Sequence, residues 1–161
     1  MGKRTLVIID GSNLYFKLKD LQVKNLIDFN YDGLIKSLAD KNANLKIRYY
    51  IGAIRTDGSK KSLKMFKEQR RLLANLKKQK IVYSLGYLLK SDGKYHEKGV
   101  DVQMVVDMLR GAYRKEFDQV ILVSSDSDLV IYIGFKHRPS YALLKTCKRS
   151  ILLDKKDVKE F

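Results

Sequence analysis

The stretch L-V-I-I-D-G-S-N at positions 6–13 decides the fold. An apolar run that stops at an acid and a glycine is typical of a buried strand in a parallel sheet, followed by a turn. Strands of such a sheet end at one shared edge, where open α/β folds bind their ligands. We therefore expect Asp10 at that edge, with a short helix or a loop over Asn13–Asp20 after it.

The rest of the chain continues this alternation of strands and helices. Further strands are predicted at Lys46–Ile54, Ile81–Ser84 with an extension over Gly86–Leu89, Val120–Val123, Val130–Phe135 and Ile151–Leu153. Helices are predicted from Tyr31 to about Asp40, over Ser62–Lys78, over Val100–Tyr113, and from Pro139 to about Lys145. The alternation predicts an α/β protein, a three-layer α/β/α sandwich around a mainly parallel sheet. Without a linker or repeat, residues 1–161 are expected to form a single domain.

The segment Val100–Tyr113 has the clearest helical pattern in the chain. Its apolar residues recur at the spacing of one helix face: Val102, Val105, Val106, Leu109, Ala112 and Tyr113. This spacing is typical of an α-helix.

One connection conflicts with a parallel sheet. A parallel crossover needs about a dozen residues or more, usually a helix, whereas only Ser124–Leu129 separate the strands predicted at Val120–Val123 and Val130–Phe135. Either these strands are antiparallel, or they are not neighbours, or a crossover helix has been lost.

Composition favours a polyanionic partner. Lys and Arg number 33 against 18 Asp and Glu, which gives a formal net charge of +15. Such a balance on a globular domain favours nucleic acid, and less often an anionic membrane surface. The single cysteine, Cys147, fits a reducing compartment. No stretch is apolar over the ~18 residues of a membrane span, so we expect a cytoplasmic protein.

Acids at three places could share one pocket. Asp10 ends the first strand, Asp126 and Asp128 follow the strand at Val120–Val123, and Asp101 opens the helix at Val100–Tyr113. Each has a structural alternative: Asp10 as a turn former, the D-x-D as a helix cap, and Asp101 as a partner of the helix dipole. Together they indicate a magnesium site, because carboxylates gathered at one edge repel each other unless a cation lies among them.

Other polar residues could support such a site. Ser12 and Asn13 offer a hydroxyl and an amide that could orient a carboxylate or a phosphate, whereas Asp107 should point about 120° away from Asp101 on the same helix. No phosphate-binding glycine motif is present, so nucleotide cofactors are not expected, and a D-x-D sugar transferase lacks such a landmark as well. His96 and His137 are not spaced as zinc ligands.

Basic residues cluster from position 60 to position 80. Those expected to contact nucleic acid are Lys60, Lys61, Lys64, Lys67, Arg70 and Arg71. A charge run of this kind is often a solvated helix face, but Glu68 is the only acid among these residues. That imbalance of sign favours phosphate contacts.

The motifs D-G-S-N-L-Y at 10–15, E-K-G-V-D-V at 97–102, V-D-M at 106–108 and S-S-D-S-D-L at 124–129 resemble the NYN domain family, which is similar to PIN nucleases. The resemblance covers nearly the whole chain. It implies a PIN-like fold and an endoribonuclease dependent on Mg²⁺ or Mn²⁺, acting on single-stranded RNA.

The resemblance also implies roles for individual residues. Asp10, Asp101, Asp126 and Asp128 would be the metal-binding and catalytic acids. The supporting residues would be Ser12, Asn13, Lys98, Asp107 and Ser125.

The sequence departs from the family pattern in three ways. The family usually has Gly at the position of Ser125 and Phe at that of Leu129, and it carries a helix before the next strand, which here begins at Val130. The missing helix leaves an alternative, a catalytically weak or inactive RNA-binding module of the same fold. A homodimer is compatible with either function.

Overall fold

The computed structural model describes residues 2–91, 94–124, 131–135 and 149–153, together with residue 156. For 88–91, 94–98, 131–135 and 149–153 the description is of the backbone. The helix predicted from Pro139 to about Lys145 lies outside the described residues. Within them, no helix is both long enough and apolar enough to cross a membrane.

The described strands form one sheet with helices on both faces, as the sequence predicted. The strands are β1 Arg4–Asp10, β2 Asn44–Ala53, β3 Val82–Ser91, β4 Lys94–Lys98, β5 Gln119–Val123, β6 Ile131–Phe135 and β7 Arg149–Leu153. The helices are α1 Gly11–Asp20, a 3-10 turn Leu26–Asp28, α2 Tyr31–Leu38, α3 Lys60–Lys78 and α4 Val100–Tyr113. The strand order is β4-β3-β2-β1-β5-β6-β7, and β3 and β4 are the one antiparallel pair among these strands.

Strand β1 lies at the centre of the sheet because its side chains are apolar on both faces. Val7 and Ile9 pack under α1, α2 and α3 in the larger core. Leu6 and Ile8 pack on the opposite face, against α4. Since β1 is covered on both sides, its carboxyl end is held firmly at the edge where Asp10 lies.

Helix α3 is attached to the sheet face of Val7 and Ile9 by amide side chains as well as by apolar contacts. Gln69 donates through Nε2 to the Gly52 carbonyl at 2.7 Å and accepts from the Ile54 N–H at 2.9 Å. Asn75 donates to the carbonyls of Ile27 and Phe29. These bonds satisfy backbone groups where β2 ends and where the 3-10 turn passes, so they fix α3 against both segments.

Helix α4 has the predicted bounds, and the apolar residues that reveal its pattern lie on its exposed side. The buried apolar residues are Val100, Met104 and Met108, whereas the predicted stripe is exposed, from 41% at Val105 to 90% at Tyr113. The helix is apolar on two sides, and periodicity gave no means to choose between them. We call the exposed set the α4 stripe: Val102, Val105, Val106, Leu109 and Tyr113.

The side of α4 that packs is set by a close approach near its end. A Cβ at Gly111 would lie 2.5 Å from a ring carbon of Phe117. The absent side chain lets the helix lie against that ring, and this contact turns Met104 and Met108 inward.

Two other features differ from the prediction. The segment predicted as Ile81–Ser84 with an extension is one strand, β3, and β4 after it completes an antiparallel hairpin that was not predicted. Strands β5 and β6 are parallel neighbours, with Leu122 opposite Tyr132. The alternatives of antiparallel or separated strands are therefore wrong, and residues 124–130 make this parallel connection.

Candidate active site

Asp10 joins the end of β1 to the start of α1. Its Oδ1 accepts a hydrogen bond from the Asn13 N–H at 3.0 Å, so the carboxylate caps α1. Its Oδ2 accepts from the Ser124 hydroxyl at 3.1 Å. Ser124 directly follows β5, the neighbour of β1. Asp10 is thus a helix cap, where the sequence suggested a turn former as its structural role, and it is also a carboxylate at the junction of two strand ends.

Gly11 allows the close contact between α1 and the second strand. A Cβ at this position would lie 2.1 Å from a ring carbon of Tyr49 and 2.7 Å from the Tyr50 carbonyl. The Tyr49 hydroxyl donates to the Gly11 carbonyl at 3.1 Å. The glycine of the D-G-S-N motif is therefore required by packing, and it places the first turn of α1 over the end of β2.

Asp101 lies near Asp10, on the helix that covers the other face of the sheet. Gly99, with a φ of 80°, is the residue directly before α4. Asp101 lies in the first turn of this helix and is exposed. A cavity of about 270 Å³ is lined by residues of both helix starts: Asp10, Ser12, Asn13, Phe16, Val100 and Asp101. The structure therefore brings together the acids that end β1 and open α4.

The local electrostatics of this cavity suit a cation and a phosphate together. Two carboxylates border it, and the amino-terminal turns of α1 and α4 both line it. The amino end of a helix carries partial positive charge, which favours anions. Carboxylates can thus hold a metal ion while the helix starts face the oxygens of a bound phosphate.

Asp107 is not part of this cavity. Its Oδ2 accepts hydrogen bonds from Arg48 Nη1 and from the Tyr50 hydroxyl, each at 2.8 Å, and its Oδ1 pairs with Arg110. It lines a separate cavity of about 580 Å³ beside Arg4, at the opposite edge where the strands begin. Asp107, predicted as a supporting residue, is thus buried, ion-paired with Arg48 and Arg110, and absent from the lining of the cavity of Asp10 and Asp101.

The environment of Asp107 also affects Tyr50. Burial, with a smaller contribution from the hydrogen bond to Asp107, raises the pKa of the Tyr50 hydroxyl to about 12. The phenol thus remains a donor to the carboxylate at physiological pH. This cluster of Arg48, Tyr50, Asp107 and Arg110 stabilises the packing of α4 on β2.

Several predicted residues cannot be placed. Asp126, Asp128 and Ser125 lie outside the described residues, and for Lys98 the description covers the backbone, which ends β4. Asp126 follows Ser124 by two positions, and Ser124 contacts Asp10 directly. Within the described part of the chain, no three Asp, Glu, His or Cys residues gather as a metal-binding group.

The basic residues of α3 form an exposed row. Lys60, Lys61, Lys64, Lys67, Arg70 and Arg71 are all exposed. Two acids approach the row, Glu68 at 3.9 Å from Lys64 and Asp28 at 3.5 Å from Arg71. These loose surface pairs neutralise little of the charge, so the row keeps its strongly positive character.

The prediction missed two contributors to the site. Ser124 was not a candidate, although its position directly after the strand that neighbours β1 was a usable signal. Phe16, which lines the cavity and is 61% exposed, directly follows the motif D-G-S-N-L-Y at 10–15 and gave no signal beyond its large apolar side chain.

Comparison with known proteins agrees with the motifs. The sequence model of the NYN domain family matches residues 4–141, from the start of β1 to beyond β6. No curated protein and no solved structure matches the chain. Because the family match spans most of the sequence and includes the strand ends that carry Asp10 and Asp101, the chain belongs to the NYN domain family.

Proposed function

We propose that this chain is a metal-dependent nuclease that hydrolyses phosphodiester bonds, with single-stranded RNA as substrate and Mg²⁺ or Mn²⁺ as cofactor. The NYN domain implies a nuclease of the PIN-like class. The observation that carries the proposal is the shared cavity of Asp10 and Asp101, reached from opposite faces of the sheet.

The donor set fits a hard divalent cation. Magnesium is commonly bound by one or two carboxylates, with water and substrate phosphate as its other ligands. Asp10 and Asp101 supply two carboxylates at one cavity. In the proposal Asp126 and Asp128 complete the set, because their segment begins at Ser124, which contacts Asp10.

When bound, the ion would lower the pKa of a water molecule and offset charge that develops on the phosphate. The protein's own contribution is positioning. The Asn13 N–H and the Ser124 hydroxyl each hold one oxygen of Asp10, which fixes the orientation of the carboxylate. The first turns of α1 and α4 present their positive dipole ends to the phosphate. The basic row of α3 binds other phosphates of the same RNA strand.

The test is cleavage of a fluorescent single-stranded RNA by purified protein in Mg²⁺ or Mn²⁺. Asp10→Asn and Asp101→Asn should each reduce the rate by at least about a hundredfold, since each removes a charged ligand. Asp40→Asn is the matched control, because Asp40 is exposed beside Asn44 at the far edge of the sheet. Full activity in Asp10→Asn and Asp101→Asn would overturn the mechanism.

One feature favours a second function, RNA binding without cleavage. Parallel strands β5 and β6 are joined by residues 124–130, which is shorter than a usual helical crossover. Because this short connection contains Asp126 and Asp128, a chain that lacks the crossover helix could retain RNA binding without cleavage. Binding that persists in EDTA, with no cleavage on addition of Mn²⁺, would identify this RNA-binding module.

A cytoplasmic location and a homodimer belong to the same proposal. The lone Cys147 fits a reducing compartment. The α4 stripe offers a surface for a second copy: in an antiparallel crossing, Val102 of one copy meets Tyr113 of the other, and Val106 meets Leu109. Association would remove these exposed apolar side chains from water.

A further inference from the structure

A second cavity adjoins the acidic one and has the opposite character. It measures about 440 Å³ and lies between α1, the 3-10 turn, the end of β2 and α3. Apolar side chains form most of its wall, including Phe16, Ile27, Met65 and Leu72. Its volume is at the small end of the range for small-molecule sites.

The two cavities share part of their lining. Ser12 and Phe16 border both the acidic cavity of Asp10 and Asp101 and the apolar one. A group held at the acids can therefore extend past the Phe16 ring into the apolar cavity. A nucleotide has this form, a charged phosphate joined through its sugar to a flat base with stacking faces and a polar edge.

Two basic residues of α3 directly precede lining residues of the apolar cavity in sequence. Lys64 lies one residue before Met65, and Arg71 lies one residue before Leu72, with its guanidinium 3.5 Å from Asp28 of the 3-10 turn. Both basic side chains are exposed. An apolar wall flanked in sequence by basic residues complements a nucleic acid strand, which presents bases and phosphates together.

Glu68 gives the cavity a hydrogen-bond acceptor. Its carboxylate lines the wall, is 43% exposed, and has Lys64 at 3.9 Å as its ion-pair neighbour. The side chain of Gln69, the next residue, is hydrogen-bonded to the Gly52 carbonyl and the Ile54 N–H. Glu68 is therefore the acidic group placed to accept from the N–H donors on a base edge.

We propose that this apolar cavity binds one unpaired nucleobase of the strand whose phosphate lies at Asp10 and Asp101, with Glu68 accepting from the base. The inference rests on the proposed function for its placement of the phosphate. It gives a physical reason for single-stranded substrate, because a base in a duplex is stacked and paired and cannot enter the cavity.

The test measures base insertion without cleavage. A single-stranded RNA with a non-hydrolysable backbone and the fluorescent base 2-aminopurine is titrated with protein in Mg²⁺. Insertion should change the fluorescence at saturation, and the same base in a duplex should give no change. Met65→Trp and Ile27→Trp, two separate variants that fill the cavity, should each weaken binding about tenfold or more.

Matched controls separate insertion from general damage. Leu63→Trp adds the same side chain to α3 at an exposed position outside the cavity lining and should leave binding unchanged. A strand in which every base is replaced by an abasic site should bind the wild type and the filled variants equally. Glu68→Gln should weaken binding of the base about tenfold while the melting temperature is kept.

The outcomes also distinguish this inference from the nuclease proposal. Unchanged affinity in both filled variants, with normal melting, would overturn the base site whatever the cleavage assay shows. Loss of base binding in those variants, together with wild-type protein that never cleaves RNA, would uphold the base site and remove the nuclease.

Discussion

The Ser124 hydroxyl donates a hydrogen bond to Asp10 Oδ2 at 3.1 Å, across 114 positions of sequence. The contact joins the carboxyl ends of two adjacent parallel strands. It also leaves the Asp10 carboxylate with a fixed orientation, since the Asn13 N–H holds the other oxygen. A carboxylate fixed in this way loses little conformational freedom when it binds a metal ion.

Ser124→Ala should therefore weaken metal binding without removing a ligand. We expect the affinity for Mn²⁺, measured by isothermal titration calorimetry, to fall about tenfold, as is typical when a group that orients a metal ligand is lost. Ser124→Thr keeps the hydroxyl and should retain most of the affinity. Equal losses in the two variants would show that the hydroxyl does not act through Asp10.

Asp107 should prove structural. Asp107→Ala removes the acceptor of Arg48 and Tyr50, and Arg48 Nε is already buried without a partner among the described residues. Breaking a buried pair on one side typically costs about 3–5 kcal/mol, which urea denaturation would measure.

Metal binding by folded Asp107→Ala should match the wild type, in contrast to Asp101→Asn. If Asp107→Ala instead unfolds at the wild-type urea concentration but loses Mn²⁺, Asp107 belongs to the metal site.

Stability should fall at alkaline pH. The pKa of Tyr50 is raised to about 12 by burial and then by Asp107, and burial raises the pKa of Tyr31 to about 12. Because an unfolded tyrosine titrates near 10, the stabilisation is complete below about pH 10 and is lost as pH rises toward 12. Each tyrosine contributes up to about 3 kcal/mol to this loss.

Urea midpoints between pH 8 and pH 12 would measure the alkaline loss. The decline should be shallower in Tyr31→Phe and in Tyr50→Phe than in the wild type. Identical slopes in all three proteins would contradict the assignment.

The basic row of α3 should set the salt dependence of RNA binding. In Lys60→Gln/Lys61→Gln/Lys64→Gln, the slope of log affinity against log salt should become shallower by about 2, at roughly 0.7 per phosphate contact on a single strand.

The matched control replaces Lys36, Lys41 and Lys80, exposed residues beside Asn44 at the opposite edge. It makes the same change in net charge and should leave the slope close to that of the wild type. If both triple variants change the slope equally, net charge alone is acting.

The α4 stripe should mediate self-association. Val106→Asp, at a position 50% exposed, should shift a dimer to monomer in sedimentation equilibrium and leave the folded monomer intact. Because each copy carries a net charge of +15, the wild-type dimer should strengthen as added salt screens the repulsion. A wild-type protein that is monomeric at high salt and high concentration would exclude this role for the stripe.

Much of the fold could be predicted from sequence because its buried strands are short apolar runs. The run before Asp10 and the helix at Val100–Tyr113 lie where the pattern placed them. Strand β4 was missed because a short, mostly polar edge strand, K-Y-H-E-K, has no apolar pattern. The side of α4 that packs could not be predicted, because two apolar faces share the same period and the close approach of Gly111 and Phe117 is a tertiary contact.

The candidate site divides in the same way. The end of a buried strand is recognisable in sequence as an apolar run that stops at a polar residue, so Asp10 could be identified as a candidate. The partners of Asp107 could not, because Arg48 lies 59 positions away and its own strand shows only an arginine among aromatic residues. A carboxylate's neighbours decide whether it can accept a metal ion, and those neighbours come from the packing of α4 on β2.

Gly11 constrains how this protein can be engineered. Its hydrogen occupies the space between the start of α1 and the Tyr49 ring, where a methyl group would overlap the ring. Glycine-to-alanine exchange in helices is a common route to thermostable variants, but here it would push the carboxylate cap away from its strand end. A library that seeks higher thermal tolerance should therefore hold this codon constant and vary the solvent-facing helical positions.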